Sequence, residues 1–100
     1  MFDWLRSKDV ENFAIDLVRE FSKKCPPETL NRGVQHARTF AAAVDVLYNR
    51  AAEFKRGRGL GVFGKARFGT AFKYQLKELG YADELVDDLT RSLLIRMSGK

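Results

Sequence analysis

KRGRGLGVFGKARFGTAFK, Lys55 to Lys73, interleaves cationic side chains with five glycines and three phenylalanines. Helical patterns flank it on both sides, so its reading decides how many helices the chain forms and where its charge lies. Gly57, Gly59, Gly61 and Gly64 recur at short intervals, and each weakens a helix through the entropy of an unsubstituted backbone. The run therefore reads as a basic, glycine-rich loop joining two helices.

Its charge sets the segment apart. Between Arg50 and Lys77 eight cations face one acid, Glu53, for a net +7, whereas the whole chain carries +5 and the remainder therefore −2. That asymmetry marks one region of an otherwise balanced chain as an anion-seeking surface.

Before the loop, Leu30, Val34, Ala37, Phe40, Ala41, Val44, Leu47, Tyr48, Ala51 and Phe54 follow helical spacing and predict a helix over 28–56. Pro27 suits its first turn, where a missing N–H costs nothing. Gly33 is the weak point: the pattern is either one long helix or a short turn followed by a helix from near Asn31 or Arg32. Further upstream, Val10, Phe13, Ala14, Leu17, Val18 and Phe21 predict a helix over 8–24, capped by Ser7 or Asp9 and stopped by Pro26 and Pro27. After the loop, Phe68, Ala71, Phe72, Gln75, Leu76 and Leu79 predict a helix over 65–79. Gly80 stands where a C-cap wants positive φ, and Gly69 allows a neighbour to approach closely. Asp83 then caps a helix over 83–97 whose apolar positions are Leu85, Val86, Leu89, Leu93 and Met97.

The expected fold is all-α: a small bundle of four principal helices, with the basic loop between the second and third, in a single helical domain spanning 1–100. One hundred residues suffice for one core, and 45% hydrophobic with 31% charged residues is an ordinary globular balance. Cys25, the only cysteine, permits no intrachain disulfide. No stretch has the apolar length of a membrane span or of a signal-peptide core, and a cytoplasmic location is the expectation.

The loop also carries the candidate chemistry. Gly59 to Ala66, GLGVFGKA, resembles a P-loop only in part: Ala66 stands where a Ser or Thr must reach magnesium, and the preceding segment is helical. A nucleic-acid contact uses the same region more fully. Arg56, Arg58, Lys65 and Arg67 would neutralise phosphates, and Phe63 or Phe68 would stack on an exposed base. In the competing reading Phe63, Phe68 and Phe72 belong to the core and the cations merely keep that end hydrated.

Other constellations read as structural. Asp83, Glu84, Asp87 and Asp88 include two i, i+4 carboxylate pairs, but acids in a first helical turn are what the helix dipole favours. An alternative use is attraction of the basic loop of another copy. His36 has no second histidine for a shared metal and reads as a structural residue beside the apolar stripe. A Cys25–His36 nucleophile pair would lack an orienting third group. Phe2 and Trp4, ahead of the first helix, dock on the bundle or anchor a partner.

The resulting expectation is a non-enzymatic helical binding module with no cofactor and no metal. It engages a polyanion, nucleic acid foremost, through Arg56, Arg58, Phe63, Lys65 and Arg67. The alternative is a protein-interaction or structural module that docks an acidic protein or self-associates as a homo-oligomer.

Overall fold

The computed structural model describes the backbone of residues 2–58 and 62–98 and the side chains of 8–57 and 64–97. All regular structure in these residues is helical: α1 (Phe2–Lys24), α2 (Pro27–Asn31), α3 (Ala37–Arg58), α4 (Val62–Leu79) and α5 (Asp83–Ser98). The four long helices, α1, α3, α4 and α5, fit the four principal helices expected, and the short α2 is an addition to them. The pattern expected as 28–56 divides at Gly33, whose φ of +71° no helix interior accommodates. The Gly33 N–H bonds the Leu30 carbonyl and the Val34 N–H the Thr29 carbonyl, which closes α2 in a Schellman motif. The chain re-enters a helix only at Ala37, later than Asn31 or Arg32.

Two boundaries also move at the glycine-rich segment. α3 continues through Gly57 to Arg58, and α4 already begins at Val62, so Gly64 is helical. A single glycine costs about 1 kcal/mol in a helix, which flanking helix formers can outweigh. The connector therefore shrinks to residues 59–61, which lie outside the described residues. At the other end, α1 starts at Phe2, so Ser7 and Asp9 lie inside it rather than capping it.

Gly80 takes the expected positive φ, +101°. Its N–H bonds the Lys77 carbonyl while the Tyr81 N–H bonds that of Leu76, a second Schellman closure. Ala82, rather than Asp83, precedes the first turn of α5, its carbonyl accepting the Val86 N–H.

Helix directions follow from side-chain pairs. Arg67 meets Glu11 and Tyr81 meets Cys25, both 56 positions apart, so α1 and α4 run parallel. Phe13 stacks on Phe54 while Phe21 meets Phe40, which sets α1 and α3 antiparallel. Gly69 faces Leu94 and Lys73 faces Asp87, so α4 and α5 are antiparallel as well. α1 packs on α3 and α4, and α5 packs on the same two.

The buried side chains form one cluster. Leu17, Val18, Leu47, Phe68, Phe72, Leu76, Val86, Leu93 and Met97 are each at most 2% exposed, and they come from all four long helices. Burying each of the larger ones contributes about 1.5–3 kcal/mol by removing apolar surface from water. Gly69 is buried where a Cβ would come within 2.9 Å of a Leu94 methyl, so the expected close approach is made by α5. Among the described residues, no helix is long and apolar enough to cross a membrane.

Candidate polyanion-binding end

Because α1 and α4 are parallel to each other and antiparallel to α3, the first half of α1, the C-terminal turns of α3 and the N-terminal turns of α4 share one end of the bundle. Lys8 reaches that end from α1, Lys55 and Arg56 from α3, and Lys65 and Arg67 from α4. Lys8, Arg56 and Arg67 are exposed; Lys55 and Lys65 are half-buried. Residues separated in sequence are thus gathered by topology, and the positive end of the α4 dipole points the same way.

Acids from neighbouring helices offset part of the segment's +7. The Arg67 guanidinium lies 3.2 Å from a Glu11 carboxylate oxygen, Lys73 lies 3.2 Å from Asp87, and Arg50 pairs with Glu20. Arg50 also lies over the Phe13 ring, 5.8 Å from its centre. Arg50 and Lys73 are therefore tied to the sides of the bundle. Lys65 has an interaction of its own within the chain. Among the described residues, Lys55 and Arg56 enter no ion pair. Their position in the last turns of α3 also suits the negative end of that helix dipole.

The candidate aromatics separate. Phe68 and Phe72 are 0% and 1% exposed, with ring centres 5.7 Å apart, so they are core residues and cannot stack on a base. The side chains of Arg58 and Phe63 lie outside the described residues, although their backbones belong to α3 and α4. One pair escaped the reading of the sequence: Phe13 and Phe54 stack with ring planes 1° apart and centres 4.0 Å apart, half-buried between α1 and α3 near the same end. Helical spacing places each on an apolar stripe but says nothing about which rings meet.

The remaining candidates resolve as structure. Asp87 pairs with Lys73 and Asp88 lies 3.9 Å from Arg91, while Asp83 and Glu84 occupy the first turn of α5. No group of three or more metal-ligating side chains converges among the described residues. His36 is exposed rather than packed beside the apolar stripe: it precedes α3, and its carbonyl accepts the Phe40 N–H. Cys25 is fully buried, and burial pushes its thiol up despite the opposing charge of Lys24. A buried, protonated thiol is a poor nucleophile. Phe2 and Trp4 lie within α1, with side chains outside the described residues. No family model matches the chain, and neither curated proteins nor solved structures give a match.

Proposed function

We propose that this chain is a non-enzymatic helical binding module that engages a polyanion, nucleic acid foremost, through the basic end of its bundle. The observation that carries the reading is the convergence of Lys8, Lys55, Arg56, Lys65 and Arg67 from three helices onto one end. Cations placed at one end of a helical bundle attract a repeating phosphate chain by releasing its condensed counterions, and they need no shaped pocket to do so. Arg58 extends the same end of α3 in sequence, and Phe63 adds a ring for an unpaired base. Gly59 and Gly61 follow in sequence, and glycine is the residue type that lets a backbone approach a phosphate closely.

The test is neutralisation of Arg56, Arg58, Lys65 and Arg67 together to Gln. Binding to a labelled oligonucleotide should be lost while helical content and melting temperature change little, because Arg56 and Arg67 are exposed, Lys65 is half-buried, and charges in contact with water contribute little to stability. Retained binding contradicts the reading. Loss of fold assigns the four side chains to structure, and a protein that sediments as a dimer without binding the oligonucleotide supports the interaction module instead.

A further inference from the structure

From the Glu11–Arg67 pair we propose that the basic end carries a built-in competitor: the Glu11 carboxylate occupies Arg67 in the unbound chain and must yield it to an incoming phosphate. The inference rests on the polyanion reading above and assigns Glu11 a regulatory role within that site. Glu11 comes from α1, the helix parallel to α4, and its oxygen stands 3.2 Å from the Arg67 guanidinium. Carboxylate and phosphate oxygens offer the same charge-assisted acceptor to a guanidinium, so the two ligands exclude each other at one nitrogen. The pair is also open to water, with side chains 39% and 53% exposed. An ion pair this exposed is weak and can be displaced. Its two partners sit on separate rigid helices, 56 residues apart, so the carboxylate is held in place rather than swinging in on a mobile loop.

Glu11 thus lowers affinity modestly and flattens the salt dependence. With Glu11 in place, Arg67 exchanges one anion for another on binding; without it, Arg67 contributes a full phosphate contact.

Fluorescence anisotropy with a labelled DNA duplex, at several salt concentrations, tests this on the full chain. Glu11→Gln should tighten binding roughly two- to fivefold, the range of an exposed pair, with the gain shrinking as salt rises. Glu20→Gln, which changes the net charge equally but frees Arg50, should give a smaller gain. In an Arg67→Gln background the benefit of Glu11→Gln should disappear. An equal gain from both Gln variants, or a gain that survives without Arg67, overturns the competition and leaves only a general field effect. No salt-dependent binding by the wild-type chain withdraws the polyanion reading and this inference together. Wild-type binding with an unresponsive Glu11→Gln variant refutes the competition alone.

Discussion

The Tyr81 hydroxyl donates to the Cys25 backbone carbonyl at 2.5 Å, joining the α4–α5 turn to the end of α1. Both residues are buried, and the Tyr81 ring lies 5.9 Å from that of Phe21. Tyr81→Phe keeps the ring but leaves a buried carbonyl short of a partner. It should lower the unfolding free energy by about 1–2 kcal/mol in urea denaturation.

Alkaline pH should weaken the same joint. Burial, with the nearby Cys25 and Glu28, raises the Tyr81 phenol above its ordinary value of 10.0, and burial raises Cys25 above 9.0. Above those ordinary values the unfolded chain has released protons that the folded chain still holds. Stability from these groups is therefore fully present below about pH 9 and is lost as pH climbs toward their folded values. Each group contributes a slope of at most about 1.4 kcal/mol per pH unit, and Tyr81→Phe should remove one such contribution from a denaturation series across alkaline pH.

Asn31 pins the same turn from α2. Its amide donates to the Gly80 carbonyl at 2.7 Å and accepts from the Ala82 N–H at 2.9 Å. Asn31→Ala removes both bonds and should cost about 1–2 kcal/mol, while Asn31→Asp keeps the acceptor and should cost less. Thermal melts of the two variants check the order.

Gly33 and Gly80 both close helices at positive φ with open space around them, so a substituted Cβ meets no atom and only backbone conformation is at issue. Gly33, at +71°, is near the left-handed helical well, whereas Gly80, at +101°, lies beyond it. Gly80→Ala should cost more than Gly33→Ala, the latter about 1–2 kcal/mol. Equal melting temperatures for the two variants contradict this ranking.

Thr90 is buried on α5, and its hydroxyl has no hydrogen-bond partner among the described residues. Thr90→Val keeps the shape and replaces an unpaired polar atom with a methyl group. It should raise stability by about 1 kcal/mol in chemical denaturation.

The stripes from Val10 to Phe21 and from Phe68 to Leu79 were legible because 3.6-residue spacing reports burial directly, and both supply core residues. Gly80 was legible as a helix stop because its position coincides with the end of a stripe. Gly57 and Gly64 misled: glycine lowers local helix propensity, but helices braced by a core can run through it. The site was only half legible. Clustered cations appear in the sequence, whereas Glu11, Glu20 and Asp87 reach them from helices that sequence spacing cannot place beside α3 and α4. The roles of Phe68 and Phe72 likewise depend on which side of α4 faces α1 and α5.

The dependence of oligonucleotide affinity on salt tests the central claim most directly. Phosphate contacts by Arg56, Arg58, Lys65 and Arg67 predict a log–log slope of about −3 to −4 on duplex DNA, near −0.9 for each phosphate neutralised. Neutralising Arg56, Arg58 or Lys65 should make that slope shallower by about one, and neutralising Arg67, already paired with Glu11, by less. A slope near zero, or one unchanged by these substitutions, contradicts a polyanion site at this end of the bundle.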